Sequence, residues 1–354
     1  MNNTIKLGRK VISKHSPVFV IAEAGVNHNG NPDMARALIK EAHACKADSV
    51  KFQTYKAERV VTESAPKAKY QLGTTEASQS QLDMLREIEL KPEQHRELKL
   101  YAEKSEMVFL STPYNSEDVD LLEHIGVLAY KVASGQIIEY PFLRKIASTG
   151  KPIFMSTGMA TLAEVDTALR TILKEGNDQV VLLQCTTNYP SRFEDANLRA
   201  LQTLRSAFGV LVGYSDHTIG DETAIAAVAL GAKVIEKHFT LDKDLPGPDH
   251  SSSMTPGELK CLVEKIRRVE SSLGSGKKEP CAIEMENSAG MRRSITASCG
   301  ISKGEEITPE KITFKRPATG LSHEFYDIII GKHAARDILS DEQLQMDMIE
   351  WQRT

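Results

Sequence analysis

Eight short apolar runs recur between residues 19 and 239, and longer amphipathic segments separate them. Each run has the length of a β-strand, and most are rich in Val, Ile, Phe or Leu. An eightfold alternation of strand and helix predicts an α/β fold, a closed parallel (β/α)8 TIM barrel. The runs are FVIAEAG, SVKFQT, VFLSTP, AYKVASG, PIFMSTG, VVLLQCT, LVGYSDH and KVIEKHF.

The helical pattern ends at Gly274, after a segment that begins with Thr255 and Pro256 in the manner of a helix N-terminus. The residues that follow show no clear period, and short strand and turn signals come after them. We therefore expect a barrel domain at 1–275, a linker at 276–290 and a small β-rich domain at 291–354. With roughly 60 residues, that domain is near the lower limit for a self-sufficient core, so we expect it to lean on the barrel or on a partner chain.

Composition excludes several classes of function. The formal net charge of −4 provides no basic footprint for nucleic acid. No apolar run is long enough to span a bilayer, and the N-terminus lacks the layout of a secretory signal. Five widely spaced cysteines without a CxxC pair indicate free thiols. We expect a cytoplasmic protein that binds neither nucleic acid nor membrane.

Two lysines interrupt apolar runs near the point where strands end. The active site of a (β/α)8 barrel lies at the C-terminal ends of its strands, and most of the eight runs end in polar side chains. Lys51 and Lys131 lie within such runs, and burying an ammonium group without a partner is costly. An anion between them would remove that cost. The two lysines, with neighbouring hydroxyls, predict a cradle for a phosphate and a carboxylate.

Two histidines close neighbouring strands of the predicted barrel. His217 follows LVGYSD, and His238 ends KVIEKH. A single buried histidine is usually structural, but two at adjacent strand ends can converge. Together with water and substrate oxygens, they would suit a divalent metal such as Mn²⁺, with positions left open for catalysis. Spacing alone leaves the structural and the metal-binding interpretations open.

These motifs resemble those of the sialic acid synthase family. The resemblance covers nearly the whole chain, and it includes a tail similar to that family's antifreeze-like (SAF) domain. It implies a transferase that condenses phosphoenolpyruvate with an N-acetylmannosamine-type sugar, giving a nine-carbon 2-keto acid and phosphate. The motifs are IAEAGVNHNG, VKFQT, STP, YKVASG, STGMAT, QCTTNYP, GYSDHT, EKHFTLD and PGPDHSSS, with KRPATG and IIGKHAARDI in the tail.

The resemblance also implies roles for individual residues. His217 and His238 would hold the metal, for which Mn²⁺ is favoured and Mg²⁺ or Co²⁺ are alternatives. Arg316 of the SAF domain would reach the N-acetyl group of the sugar. Phosphoenolpyruvate would be held by Lys51, Thr112, Lys131, Ser134, Ser156, Thr187 and Ser215. The sugar or the reacting water would meet Glu23, Gln53, Tyr189 and Asp249.

One departure from the family pattern concerns proton transfer. Relatives carry Glu or Asp where ASGQ places Gln136, the third candidate catalytic residue beside Glu23 and Asp249. An amide is neither an acid nor a base at neutral pH. Either that carboxylate is not essential, or Glu23, Asp249 or the nearby Glu139 handles the protons.

The acceptor sugar is left open by the sequence. N-acetylmannosamine would yield N-acetylneuraminate, whereas 2,4-diacetamido-2,4,6-trideoxymannose would yield N,N'-diacetyllegionaminate. Pseudaminate synthesis is a third option, and a non-catalytic carbohydrate- or ice-binding protein is an alternative of another class.

The expected assembly is a domain-swapped homodimer. At up to ~3.5 Å per residue, a linker of about fifteen residues spans tens of ångströms. It could therefore deliver Arg316 to the barrel of a partner chain.

Overall fold

The computed structural model of the chain describes residues 3–76 and 78–351. It divides into two compact units, Met1–Gly274 and Ser275–Thr354. Among the described residues, no helix combines the length and the apolar character needed to cross a bilayer.

The first unit opens with an antiparallel hairpin, β1 (Thr4–Leu7) and β2 (Lys10–Ser13). All eight predicted runs then form strands of one parallel sheet, with neighbours in the order β5-β4-β3-β10-β9-β8-β7-β6. The two ends of this order, β5 and β6, lie against each other, so the sheet closes into a barrel and the predicted fold is confirmed. These strands are β3 (Phe19–Gly25), β4 (Ser49–Thr54), β5 (Val108–Pro113), β6 (Tyr130–Val132), β7 (Ile153–Ser156), β8 (Val180–Cys185), β9 (Leu211–Asp216) and β10 (Val234–His238).

The helices of this unit begin at local capping signals. Thr161 and Thr255 each accept a hydrogen bond from the backbone of a glutamate three residues on, whose side chain bonds back to the cap. Most of the helices connect successive strands. They are α1 (Pro32–Ala44), α2 (Ala57–Val60), α3 (Lys69–Thr74), α4 (Gln81–Glu87), α5 (Pro92–Lys104), α6 (Ser116–Ile125), α7 (Tyr140–Ala147), α8 (Leu162–Lys174), α9 (Ala200–Phe208), α10 (Glu222–Ala229) and α11 (Pro256–Ser272).

The connection between β4 and β5 is longer than a single crossover helix. It contains α2, α3 and α4 in addition to α5. Residues of this segment form a small apolar cluster with Val26, Tyr55 and Tyr114. The insertion therefore builds an extra wall beside the C-terminal end of the barrel.

Apolar side chains fill the opposite end of the barrel. Ile5, Leu7 and Ile12 of the hairpin pack with inward-facing strand residues such as Ile21 and Leu110. The hairpin was not among the predicted strands, and it closes the N-terminal end with a core.

The second unit contains α12 (Ala282–Met291), β11 (Ser294–Ala297), β12 (Ile312–Lys315) and α13 (Tyr326–Ile329). The strands β11 and β12 pair antiparallel over a separate apolar core. Within the predicted linker at 276–290, the structure contains most of helix α12, which was not predicted from the sequence. Glu284 accepts a hydrogen bond from the Cys281 amide and caps this helix, but its residues are largely exposed, so no apolar period marked it in the sequence.

Short 3₁₀ turns complete the secondary structure. They are Ser134–Gln136, Phe193–Asp195, His250–Ser252, Pro309–Lys311, His323–Phe325 and Met346–Met348.

Candidate active site

A cavity of about 400 Å³ opens at the C-terminal ends of the barrel strands. Most of the residues predicted from the sequence line it, and Asp249 and Arg316 are the two that do not. The predicted residues in its wall are Glu23, Lys51, Gln53, Thr112, Lys131, Ser134, Gln136, Ser156, Thr187, Tyr189, Ser215, His217 and His238.

The two strand lysines lie in a chain of alternating charges. Lys51 Nζ is 2.8 Å from Glu23 Oε2 and 3.9 Å from Glu236 Oε1, and Lys131 Nζ is 3.3 Å from the same Glu236 oxygen. The anion next to both lysines is therefore Glu236 of the chain itself. Glu236 was not among the site residues predicted from the sequence. The signal was its position two residues before His238, which places both side chains on the same face of β10.

The two glutamates of this chain differ in protonation. Burial, together with the nearby Glu236, raises the pKa of Glu23 to about 7 against the opposing effect of Lys51. Burial also acts to raise the pKa of Glu236, but Lys131 and Lys51 outweigh it, so the net shift is downward. At neutral pH, Glu236 is ionised, whereas Glu23 is poised to hold or release a proton.

Several buried polar atoms of the cavity have no hydrogen-bond partner in the described part of the chain. Four of the nine such side-chain atoms belong to this site, namely Glu23 Oε2, Glu236 Oε2, Ser156 Oγ and His238 Nδ1. Of these four atoms, Glu23 Oε2 nevertheless has an ion-pair partner, because Lys51 Nζ lies 2.8 Å from it. Because buried polar groups are nearly always paired, this concentration indicates a site built to receive a polar ligand.

The hydroxyl groups of the site hold the charged groups in place. Thr112 Oγ1 accepts a hydrogen bond from Lys51 Nζ at 2.9 Å, and Ser215 Oγ donates to Glu236 Oε1 at 3.0 Å. Ser134 Oγ accepts from the amide of Gly158 at 3.1 Å. These contacts preorganise the lysines and carboxylates before any ligand binds.

The two predicted metal ligands converge. The ring centroids of His217 and His238 are 5.4 Å apart, and Tyr189 packs on both rings. His217 Nδ1 donates to the Thr186 carbonyl oxygen at 2.7 Å, which leaves Nε2 available as a ligand. Burial, with the nearby positive charges, lowers the pKa of His238 well below its usual value, so this imidazole is neutral.

The arrangement fits a metal ion with open coordination positions. Among residues 3–76 and 78–351, no group of three His, Cys, Asp or Glu side chains is placed to hold a metal ion, so the protein would supply only the two imidazoles. Two imidazoles would leave the other positions to substrate oxygens and water. Burial acts to lower the pKa of His217. The neighbouring Cys185, whose Sγ lies 3.9 Å from Nδ1, acts to raise it, and the net shift is upward. A metal ion binds the neutral imidazole, so protonation of His217 would compete with metal binding.

The residues that precede the two histidines form an ion pair on the outer face of the strands. Lys237 Nζ is 2.8 Å from Asp216 Oδ2, and the two residues are direct neighbours in the β9–β10 register. Thr218 and Thr223 also donate to the Asp216 carboxylate. This pair ties together the two strand ends that present His217 and His238.

Gln136 lines the cavity, but its amide is engaged by backbone groups. Its Nε2 donates to the carbonyl oxygens of Pro113 and Tyr114, and its Oε1 accepts from the Ala133 amide. These contacts support a structural role for the side chain rather than proton transfer. Glu139 also reaches the cavity wall, and burial raises its pKa.

Asp249 borders a second, smaller cavity of about 190 Å³. Its Oδ2 lies 3.8 Å from His238 Nδ1, and burial raises its pKa to about 6 although His217 opposes the shift. Gln53, Tyr114, Tyr189 and His238 line both cavities. Asp249 therefore faces the paired histidines from the neighbouring cavity.

Arg316 belongs to the second unit, where it is exposed. Its Nε donates to the Met291 carbonyl oxygen at 2.9 Å. Its predicted contact with the sugar stays a prediction.

Comparison with known proteins agrees with the geometry. Residues 38–278 match the NeuB family, and residues 292–350 match the SAF domain. The N,N'-diacetyllegionaminic acid synthase of Campylobacter jejuni is 46% identical, over 92% of this chain and 98% of its own length. The synthase of the same name from Legionella pneumophila is 43% identical, over 94% of each chain. The crystal structure of an N-acetylneuraminic acid synthetase from Leptospira borgpetersenii, in complex with citrate, superposes with a TM-score of 0.73 at 36% identity, over 81% of this chain and 95% of that one.

The family match spans most of the barrel, and each of these relatives is covered almost end to end. Synthases of this kind are metal-dependent, and the paired histidines agree with that property. The chain is accordingly a member of the NeuB family, a phosphoenolpyruvate-dependent condensing enzyme of the sialic, legionaminic and pseudaminic acid synthase group that carries a C-terminal SAF domain.

Proposed function

We propose that this enzyme condenses phosphoenolpyruvate with 2,4-diacetamido-2,4,6-trideoxymannose to form N,N'-diacetyllegionaminate and phosphate. The choice of acceptor is supported by the two legionaminic acid synthases, which are 46% and 43% identical to the chain. The reaction type is supported by one observation above all. Two buried lysines flank Glu236 at the barrel mouth, and polar atoms without partners surround them.

Phosphoenolpyruvate would bind over this charged chain. Its carboxylate and phosphate need cationic partners, and Lys51 and Lys131 in the wall of the cavity supply two. Ser156 Oγ is buried without a partner and offers a donor to the same ligand. An anion bound here would favour proton uptake by Glu23, whose pKa of about 7 already lies near neutrality.

The chemistry follows from the substrates. Carbon 3 of phosphoenolpyruvate attacks the aldehyde carbon of the open-chain sugar, water adds to carbon 2, and the tetrahedral carbon expels phosphate by C–O cleavage. A divalent cation held by His217 and His238 would act as a Lewis acid on the aldehyde. Glu23 holds or returns a proton at the reacting centre, while the lysines stabilise the anionic groups of the donor.

N-acetylmannosamine is the second candidate acceptor. It is favoured by the N-acetylneuraminic acid synthetase of Leptospira borgpetersenii, which is 36% identical. The test is phosphate release from phosphoenolpyruvate with each sugar in the presence of Mn²⁺, with the product identified by mass. We expect release with both and a higher kcat/KM for the diacetamido sugar. No release with either sugar would contradict a synthase and favour a carbohydrate-binding protein.

The proposed assembly is a homodimer that shares its active sites. Large apolar side chains are exposed on four consecutive loops of the barrel mouth, after β6, β7, β8 and β9. They are Ile138, Met159, Phe193 and Ile219, with exposed fractions between 48% and 72%. A rim of this kind is typical of a surface covered by another chain.

Delivery of Arg316 from the partner is testable by complementation. Chains carrying Arg316→Ala are mixed with chains carrying Lys131→Met, and hybrid dimers are formed by refolding. A hybrid contains one intact composite site, so activity should exceed that of either parent. Hybrids that are confirmed to form yet recover no activity would show that Arg316 acts within its own chain or not at all.

A further inference from the structure

A side cavity adjoins the active site on the side of the paired histidines. Its volume is about 190 Å³, and Gln53, Tyr114, Tyr189 and His238 form the junction with the main cavity. Its outer wall comes from α2, α4 and the turns around them, which belong to the long β4–β5 connection. Nothing in the proposed reaction between the aldehyde and phosphoenolpyruvate requires this space.

The wall of the side cavity combines an aliphatic part with a polar edge. Aliphatic side chains of Val60, Val61, Leu85 and Ile88 belong to one packed cluster. The polar edge consists of Asp249 and the amides of two glutamines, where Gln81 Nε2 donates to Gln71 Oε1 at 3.3 Å. A group that combines a methyl with an amide matches this lining, because the methyl lies on the aliphatic wall and the amide meets the polar edge.

A sugar hydroxyl matches the aliphatic part of this space poorly. A hydroxyl group that faces aliphatic side chains loses hydrogen bonds with water without regaining them. An acetamido group fills more of the volume and buries its methyl group against the aliphatic side chains. The side cavity therefore favours an acetamido substituent over a hydroxyl.

We propose that the side cavity binds the acetamido group on carbon 4 of the acceptor and thereby selects a 2,4-diacetamido sugar over N-acetylmannosamine. This proposal rests on the proposed function, which places the aldehyde end of the sugar at His217 and His238. Carbon 4 is three bonds from that end, and the junction at His238 leads directly into the side cavity. The acetamido group on carbon 2 is common to both sugars, so it cannot discriminate between them.

The decisive variant fills the side cavity. Val61 is partly buried in its wall, so Val61→Phe places a larger side chain against the space. We expect the ratio of kcat/KM for the diacetamido sugar to that for N-acetylmannosamine to fall at least about tenfold, since a misfit of one methylene already changes specificity 10–200-fold. The matched control is Val11→Phe on the hairpin at the other end of the barrel, where Val11 is 43% exposed and the ratio should not change.

Failure of this inference and failure of the proposed function give different results. If the wild-type enzyme releases no phosphate with either sugar, the proposed function fails. If both sugars react and Val61→Phe leaves their ratio unchanged, the assignment of the side cavity is overturned.

A measurement without turnover covers the case in which Val61→Phe does not fold. Saturation-transfer NMR on the wild-type enzyme, with diamagnetic Mg²⁺ and the diacetamido sugar but no phosphoenolpyruvate, resolves the two acetyl methyl groups. We expect the stronger transfer to the methyl on the carbon 4 substituent, because that methyl is enclosed by aliphatic protons. Weaker transfer to it than to the carbon 2 methyl would overturn the proposal.

Discussion

Two clusters of buried charges lie on opposite faces of the barrel sheet, and β10 contributes a residue to each. The inner cluster consists of Glu23, Lys51, Lys131 and Glu236, and the outer pair is Asp216 with Lys237. All six residues are less than 5% exposed. In the outer pair, both Asp216 oxygens accept hydrogen bonds, whereas Glu236 Oε2 of the inner cluster has no hydrogen-bond partner among the described residues. Both clusters therefore bury charged groups, but only the inner one contains a carboxylate oxygen without a hydrogen-bond partner among the described residues.

The difference shows how a structural ion pair can be told from a ligand site. A buried pair with every polar atom satisfied holds the chain in register and has no capacity for a further partner. A buried cluster that lies beside a cavity and contains donors or acceptors without partners indicates a ligand-binding site. Lys131 and Lys237 are the same residue type in the same kind of strand, so they provide a direct test.

The largest effect is expected at the paired histidines that lie between the two clusters. Exhaustive chelation should abolish phosphate release, and added Mn²⁺ should restore it. His217→Ala or His238→Ala should weaken Mn²⁺ binding at least about tenfold, measured by calorimetry. His15→Ala, which changes an exposed histidine on the first unit, is the control and should bind Mn²⁺ as the wild type does. Full activity in protein shown to be free of metal would contradict the assignment.

On the inner side, Lys131→Met should lower kcat/KM for phosphoenolpyruvate by about 10²–10³-fold, because it removes a preorganised cation from the donor site. Lys40→Met on the exposed face of α1 is the matched control. Steady-state kinetics and circular dichroism should show lost activity with the fold retained. An unchanged KM and a normal kcat for this variant would contradict the assignment of Lys131 to the donor site.

On the outer side, Lys237→Met should act on stability. It leaves the buried Asp216 carboxylate without its cation, which costs about 3–5 kcal/mol of unfolding free energy. The double variant Asp216→Leu with Lys237→Met removes both charges and should recover much of that loss in urea unfolding. If Lys237→Met unfolds at the wild-type urea concentration, the outer pair does not stabilise the barrel.

The smallest effect concerns the pH dependence of the inner cluster. The pKa of Glu23 is raised from its ordinary value of 4.5 to about 7, so the folded state binds its proton more tightly than the unfolded state does. The contribution of Glu23 to stability is therefore fully present below pH 4.5 and is lost as the pH rises through about 7. Glu23→Gln should remove this part of the pH dependence in urea unfolding measured from pH 5 to pH 8. Parallel curves for the variant and the wild type would contradict the shift.

Local pattern is enough to predict the barrel and most of the site. The eight runs alternate with helical segments whatever their partners are, and polar residues at the run ends mark one rim of the barrel. For that reason the sequence alone predicts Lys51, Lys131, His217 and His238 as site residues, and all four line one cavity. The hairpin was missed because its two strands are only four residues long, and α12 because it has no buried face.

Tertiary structure decided which groups those side chains contact. Strand alternation places Glu236 inward and Lys237 outward, but only closure of the barrel brings Glu236 between lysines from β4 and β6. Asp216 likewise depends on packing, because Thr223 of helix α10 donates one of the hydrogen bonds to its carboxylate. The side cavity likewise depends on how the long β4–β5 connection folds against the mouth. Periodicity along a chain is a local property, whereas the satisfaction of a buried charge depends on groups that are distant in sequence and meet only when the chain is packed.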